Sequence, residues 1–139
     1  MRDKTKKRKK INPISDRKYE VMAQEVPIKK LLIIRAGGVP RNSNYHKGIL
    51  IDVKCEGGTC YYCGLGGCYP TFHLEPHEKH RKSGGGKVTL ENTVYICRTC
   101  HLIQQQYIKD DAAIRLIMST RQTTKEEATI ILKRIREKK

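Results

Sequence analysis

The chain has no tryptophan and only one phenylalanine. Only 37% of its 139 residues are hydrophobic. A core built from so little apolar material is small, and small cores are commonly supported by a metal ion or by disulfide bonds. We therefore expect one domain with tails, and the six cysteines are the residues that could provide either kind of support.

Two kinds of apolar segment are also missing. Residues 1–10 carry seven Lys/Arg and no apolar run, so we expect no secretory signal. No stretch has the length and hydrophobicity of a membrane-spanning helix. We therefore expect a cytoplasmic protein with no membrane partner. In a reducing compartment, paired cysteines favour metal binding over disulfide formation.

Acidic side chains are scarce relative to basic ones. The chain has 29 Lys+Arg against 14 Asp+Glu, which gives a formal net charge of +15. The excess is concentrated in residues 1–40 and 121–139. Nucleic acid is the natural polyanionic partner for such a charge. The alternative interpretation is that lysine-rich ends only keep a small protein soluble.

Charge and turn residues divide the N-terminal part of the chain. Residues 1–14 are expected to form a disordered basic arm. Ser15 or Asp16 is expected to cap a short helix that Pro27 interrupts, with a second helix beginning at this proline. Residues 37–47 are expected to form a loop.

The remaining elements are predicted from hydrophobic spacing. Short strands are predicted at residues 48–53, 88–90 and 93–96. Residues 101–118 have the apolar spacing of a helix. A final helix is predicted to begin at Thr123 or Thr124, because each has a glutamate three residues later in the pattern of a capping box.

Two Cys-x-x-Cys pairs give the clearest chemical signal. They consist of Cys60 and Cys63, and of Cys97 and Cys100. Four thiolates in two such pairs can fill the tetrahedral shell of a structural Zn²⁺ ion. The alternative is partial disulfide pairing. Cys55 and Cys68 are left over, and either could be a spare buried thiol or could replace one of the four ligands.

The segment between the cysteine pairs carries a longer pattern. Residues 77–101 read H-E-x-x-x-K-S-x-G-G-K-x-x-x-x-N-x-x-x-x-C-x-x-C-H. This segment resembles the HNH endonuclease family in its zinc-stabilised form, common among phage-like genes. The family pattern is H-H-x-x-x-R-S-x-G-G-x-x-x-x-x-N-x-x-x-x-C-x-x-C-H. The register holds without a gap, and the resemblance covers residues 60–101.

The resemblance implies a fold class and an activity. The fold would be small α+β: a ββα-metal HNH core around one divalent cation, a Cys₄ zinc knuckle, and flanking N- and C-terminal helices. Residues 15–118 would form the HNH-like domain and residues 119–139 a C-terminal basic helix. The activity would be metal-dependent hydrolysis of DNA phosphodiester bonds, with structural Zn²⁺ and catalytic Mg²⁺, Mn²⁺ or another divalent cation. The setting would be the cytoplasm of a bacterium or phage-infected host.

The resemblance also assigns site residues by position. His77 and His101 would bind the catalytic cation, and Asn92 would fix the loop geometry by hydrogen bonds or approach the metal. Glycines let the backbone approach a phosphate closely, and lysines neutralise its charge. The expected phosphate-binding residues are Lys82, Gly85, Gly86 and Lys87.

One position departs from the family pattern. Glu78 stands where the family usually has its general-base histidine, and a carboxylate with a pKa near ~4.3 is a weaker base than imidazole at neutral pH. His80 is nearby and could substitute. An alternative register uses residues 72–76, which resemble Asp/Glu-His-x-x-Pro. It restores a base at His73 but puts Phe72 at a metal position.

A non-catalytic function remains open at this stage. The histidines could merely form hydrogen bonds in a polar loop around the zinc knuckle. The protein would then be a zinc-binding module for DNA or another nucleic acid, with a degenerate HNH fold, such as a phage regulator or packaging accessory. Glu78 at the position of the base is the feature that favours this alternative.

Overall fold

The elements of the protein are known from a computed structural model that describes residues 15–69, 71–80, 87–106 and 108–138. In these residues the fold is small α+β, with four helices and two two-stranded antiparallel sheets. The predicted basic arm at residues 1–14 lies outside the described residues, as do Lys82, Gly85 and Gly86. The elements, in chain order, are α1 (Asp16–Arg35), β1 (Gly38–His46), β2 (Ile49–Gly57), β3 (Glu75–Glu78), β4 (Thr93–Ile96), α2 (Arg98–Gln106), α3 (Asp110–Arg121) and α4 (Lys125–Glu137).

Helix α1 is continuous through Pro27, so the prediction of two helices separated at this residue was wrong. Ser15 caps the helix, and its side chain accepts a hydrogen bond from the Lys18 backbone N–H at 3.2 Å. Pro27 lacks an N–H, so one hydrogen bond of the helix is missing there. Buried Val26 and Leu32 lie on either side of the proline. Both residues pack in the hydrophobic core, so the helix is attached to the core on each side of Pro27.

Strands β1 and β2 form a hairpin, so the loop predicted at residues 37–47 was also wrong. They pair in antiparallel register from Gly38 opposite Gly57 to the last pair before the turn. The turn residues Lys47 and Gly48 have φ values of 52° and 81°, as a two-residue type I′ turn requires. Most β1 side chains are exposed, so this strand is stabilised by hydrogen bonds to apolar β2 and carries no strong hydrophobic pattern.

The second sheet joins β3 to β4, with Glu75 opposite Ile96 and Glu78 opposite Thr93. The strand predicted at residues 93–96 is confirmed. Residues 88–90 are not a strand. The partner of β4 is β3, which precedes the segment, residues 79–92, that joins the two strands and is called the central loop below. Strand β3 has only four residues, and it was missed because its sequence contains a proline and two acidic residues.

Helices α2 and α3 replace the single helix predicted over residues 101–118. They are separate elements, and Asp110 and Asp111 lie in the first turn of α3. Carboxylates at this end interact favourably with the helix dipole, which supports a new helix start. No helix in the described ranges has the length and hydrophobicity needed to cross a bilayer.

One core connects these elements, and cysteines make up a large part of it. Fully buried isoleucines from β4, α2, α3 and α4 pack around the cysteine side chains. They are Ile96, Ile103, Ile117 and Ile135. Helix α4 contributes Ala128, Ile131, Leu132 and Ile135 to this core. These four residues form an apolar stripe, through which α4 packs onto the rest of the protein.

The cap of α4 gives a direct test of the fold. Thr124 and Glu127 form both hydrogen bonds of a capping box, so Thr124→Ala should lower the free energy of unfolding by about 1 kcal/mol. Thr123→Ala is the matched control, because Thr123 Oγ1 has no hydrogen-bond partner among the described residues. Urea unfolding followed by circular dichroism measures both variants. An equal loss in the two would contradict the cap.

Candidate metal centre and active site

The four paired cysteines come together in the core. Their sulfur atoms all lie within 4.8 Å of one another, and all four side chains are buried. The group consists of Cys60, Cys63, Cys97 and Cys100. It is the one group of three or more such ligand atoms found in the described part of the chain. The prediction that these four residues come close enough to bind a metal ion is confirmed. The identity of the ion stays a prediction.

The two pairs have the same local geometry. The Cys63 backbone N–H donates to Cys60 Sγ at 3.5 Å, and the Cys100 backbone N–H donates to Cys97 Sγ at 3.4 Å. Gly64, with φ of 76°, turns the chain away after the first pair. The second pair lies at the start of α2, where the helix dipole favours negatively charged thiolates.

The close approach of the sulfurs shifts the pKa values of the four thiols in different directions. Hydrogen bonds from Cys100 and Cys63 lower the pKa of Cys60 to about 7. Hydrogen bonds from Cys100 and Cys60 also lower the pKa of Cys97, whereas those with Cys60 and Cys63 raise the pKa of Cys100. Like charges at such distances oppose full ionisation. A divalent cation removes this penalty by binding all four groups as thiolates.

Arg121 contacts this cluster from the end of α3. Its Nη2 donates to Cys63 Sγ at 3.6 Å and to the Gly66 carbonyl oxygen at 2.6 Å. A guanidinium at this place offsets part of the charge of four thiolates and attaches the loop after the first pair. No local spacing predicts this contact, because it joins residues 58 positions apart.

Cys55 and Cys68 are buried thiols outside the group of four. Cys68 Sγ lies 2.9 Å from Thr99 Oγ1, and Cys55 Sγ donates to the Gly57 carbonyl oxygen at 3.4 Å. Burial raises the pKa of Cys55 to about 11, so this thiol stays protonated. None of the six cysteines forms a disulfide, which answers the alternative of partial pairing.

His77 and His101 form a second group beside the first. The centroids of their rings are 5.4 Å apart and the ring planes meet at 79°. His77 belongs to β3, and His101 lies in the first turn of α2, directly after Cys100. The Cys₄ group therefore fixes the start of the helix that carries His101. Tyr62 contacts His77 edge-on, with ring centroids 6.0 Å apart.

Glu75 orients His101. Its Oε1 lies 2.6 Å from His101 Nδ1, and its Oε2 lies 3.5 Å from Arg98 Nη1. A carboxylate bound to one ring nitrogen leaves the other, Nε2, to bind a cation, an arrangement typical of metal-binding histidines. Glu75 was missed as a partner of His101. The available signal was its position two residues before His77, which puts both on one face of a strand.

Asn92 joins the two ends of the central loop. Its Oδ1 accepts from the His80 backbone N–H at 2.8 Å. Its Nδ2 donates to the carbonyl oxygens of His80 and Lys87 at 3.1 and 2.9 Å. These three hydrogen bonds use the side-chain amide to close the chain around residues 81–86. Of its two expected roles, the contacts are those of a residue that fixes loop geometry.

The candidate bases lie in different places. Glu78 follows His77 in β3, so the two side chains project from opposite faces of the strand. Glu78 is half-buried and pairs with Thr93, whereas His80 is exposed. His73 is half-buried, and its Nδ1 has no hydrogen-bond partner in the described ranges. Phe72 is exposed and offers no ligand atom, so it cannot bind a metal as the alternative register would require.

No protein-family model, curated protein or solved structure matches this chain. The chemistry of the two groups therefore follows from their own donor atoms. Four cysteine sulfurs are a common ligand set of a structural zinc ion, which binds them in a tetrahedral arrangement. Two imidazoles leave several coordination positions open, and a divalent cation bound there would complete its shell with water and phosphate oxygens.

Substitution of one of the four cysteines should greatly weaken metal binding. Cys60→Ser is expected to retain well below one zinc per chain and to melt at a lower temperature, because three thiolates leave the tetrahedral shell incomplete. Cys68→Ser is the matched control, since this buried thiol lies outside the group and should retain about one zinc. Elemental analysis of dialysed protein measures the content. Equal zinc in both variants would refute the ligand set.

Proposed function

We propose that this protein is a metal-dependent HNH-type endonuclease that hydrolyses phosphodiester bonds in DNA. The observation that carries the proposal is the pair His77 and His101, with ring centroids 5.4 Å apart where β3 meets α2. Strands β3 and β4 followed by α2 would form the ββα-metal core. The net charge of +15 supports a nucleic-acid substrate.

The two histidines would bind the catalytic cation. The contact of His101 with Glu75 supports this role. Glu75 occupies Nδ1 of His101, which leaves Nε2 for a ligand. When bound, Mg²⁺, Mn²⁺ or another divalent cation supplies a lower pKa for an attacking water and offsets charge on the phosphate. The protein's part is to hold both imidazoles, with the Cys₄ group fixing the helix of His101.

The central loop would bind the phosphate backbone. Asn92, next to the start of β4, bonds to His80 and Lys87 on either side of residues 81–86. Lys87, one of these two residues, is exposed and can neutralise a phosphate. Lys82, Gly85 and Gly86 are proposed to act with it on the basis of their residue types.

Glu78 is proposed as the general base. A carboxylate can accept a proton from the attacking water, although it is a weaker base than imidazole. Its side chain projects from β3 on the face opposite His77. Glu78 is the last residue of β3, so the attacking water would have to lie at this end of the strand, within hydrogen-bond reach of both the cation and the carboxylate.

A plasmid-cleavage assay tests the cation ligands. His77→Ala and His101→Ala should each lower the rate of Mg²⁺- or Mn²⁺-dependent cleavage by at least about 100-fold, because cation binding supplies several kcal/mol of transition-state stabilisation. The zinc content should stay unchanged, since both side chains lie outside the Cys₄ group.

His46→Ala is the matched control for this assay. His46 lies at the tip of the first hairpin, where its ring stacks on Tyr19 with centroids 3.3 Å apart, and its removal should leave cleavage intact. Cleavage that persists in the His101→Ala protein would refute the proposed site.

A second pair of variants identifies the general base. Glu78→Gln keeps the shape of the side chain and removes its ability to accept a proton, so cleavage should fall by about 100-fold or more. His73→Gln should leave cleavage largely intact. The opposite result, a sharp loss only in His73→Gln, would support the alternative register. Pre-steady-state cleavage at saturating protein separates this loss from weaker DNA binding.

The second candidate function is a non-catalytic zinc module that binds nucleic acid. It is favoured by the position of Glu78, whose strand pairing with Thr93 puts its side chain on the face away from His77. This function predicts salt-dependent DNA binding without cleavage under any divalent cation. The cleavage assay on the wild-type protein therefore separates the two functions.

A further inference from the structure

Two neighbouring cavities lie on the surface beside the first cysteine pair. One, of about 330 Å³, lies between the end of α1 and β4, and the other, of about 420 Å³, lies between the first cysteine pair and the end of α4. Tyr61, Gly64 and Lys138 line both cavities. The surface that these three residues form with Arg35 and Arg134 is called the Tyr61 groove below.

Positive charge predominates in the Tyr61 groove. Arg35 lines the first cavity, Arg134 lines the second and Lys138 lines both, whereas Glu137 is the one carboxylate among the described residues of the two linings. Lys79 adds a fourth cation through its contact with the Tyr61 ring. The side chains of all four cations are exposed, and none forms an ion pair within the part of the chain that the structure describes.

The ring of Tyr61 brings two of these cations together. Lys138 Nζ lies 4.7 Å from the ring centroid and Lys79 Nζ lies 5.6 Å from it, both within the range of a cation–π interaction. Lys79 follows β3 and Lys138 follows α4, so the two lysines come from distant parts of the chain. Their side chains are ordered before any ligand binds, which lowers the entropic cost of binding an anion.

The two arginines are also held in place by backbone oxygens. Arg35 Nη1 donates to the Leu90 carbonyl oxygen at 2.9 Å, and Arg134 Nη1 donates to the Cys63 carbonyl oxygen at 3.4 Å. A guanidinium has five N–H donors, so each arginine keeps donors for a further acceptor. The planar arrangement of these donors matches the oxygens of a phosphate group.

We propose that the Tyr61 groove binds the sugar–phosphate backbone of DNA, with phosphates on its two arginines and two lysines and with Tyr61 as the residue that positions the lysines. The lysine ammonium groups occupy the ring, so it offers no free face on which a base could stack. We therefore expect binding without sequence preference. The choice of DNA rests on the proposed function, whereas the charge and the geometry of the groove do not.

The groove leads to the proposed active site. Lys79 directly follows Glu78 at the end of β3. Tyr62 lines the second cavity and contacts His77 edge-on, with ring centroids 6.0 Å apart. A DNA strand bound along the groove would therefore continue toward the histidine pair. Contacts in the groove would then supply binding energy at a distance from the bond that is cleaved.

Two charge-removing variants test the inference. Lys79→Gln and Lys138→Gln should each reduce the salt dependence of DNA binding, with a slope of log K against log salt that is shallower by about 0.9, because one phosphate contact is lost. At about 100 mM salt the affinity should fall about five- to tenfold. The melting temperature should stay unchanged, since neither ammonium group forms a hydrogen bond or ion pair among the described residues.

Fluorescence anisotropy of a labelled duplex of about 20 base pairs, without added divalent cation, measures the affinity between about 50 and 200 mM salt. Lys133→Gln is the matched control. Lys133 is exposed, lies on α4 and is not among the lining residues of either cavity. It removes the same charge from the chain, and its salt slope should match that of the wild type.

A third pair of variants tests the positioning role of Tyr61. Tyr61→Leu keeps all four cations and removes the ring that orders two of them, so DNA binding should weaken by about two- to fivefold. Tyr61→Phe retains the ring and should bind DNA as the wild type does. Equal losses of affinity in the two variants would reject the role of the ring.

Three results would overturn the inference as a whole: no binding of the duplex by the wild type, salt slopes of Lys79→Gln and Lys138→Gln equal to that of Lys133→Gln, or polyglutamate bound as tightly as DNA. The outcome is separable from that of the nuclease proposal. DNA binding that depends on Lys79 and Lys138 in a protein without cleavage activity would reject the nuclease and retain the groove. Full cleavage with wild-type DNA affinity in both lysine variants would reject the groove and retain the nuclease.

Discussion

The structure depends on the approach of four buried sulfur atoms to within 4.8 Å of one another. They connect the segment after the first hairpin to the junction of β4 and α2, and Arg121 attaches α3 to the same cluster. The core is built mainly from isoleucine, leucine and cysteine side chains, with no tryptophan. Thiolates this close repel one another, so a cation bound by all four would add to the stability of this core.

The same cluster determines the geometry of the histidine pair. Cys100 and His101 are neighbours in the first turn of α2, so a metal bound to the first fixes the backbone of the second. Glu75 sets the orientation of the His101 ring from β3, the strand that also carries His77. Stability and the proposed chemistry are therefore coupled, and removal of an ion bound to the four cysteines is expected to displace His101 relative to His77.

The spacing of residues in the sequence predicted the motifs that are local. It did not predict the elements that form by contact between distant segments. The two cysteine pairs, the capping box at Thr124 and strand β4 have local patterns, and each appears in the structure. Strand β1 depends on hydrogen bonds from β2 and has no apolar alternation of its own. The continuity of α1 through Pro27 depends on packing on both sides of that residue. The contacts of Glu75 and Arg121 arise only when the chain has folded.

The three hydrogen bonds of Asn92 make the central loop a replaceable unit. One amide bonds to the backbone of both His80 and Lys87, so a single side chain holds these two positions together. Insertions or substitutions between His80 and Lys87 are therefore expected to leave the register of β3 and β4 unchanged. A designer could graft new segments between the same two residues.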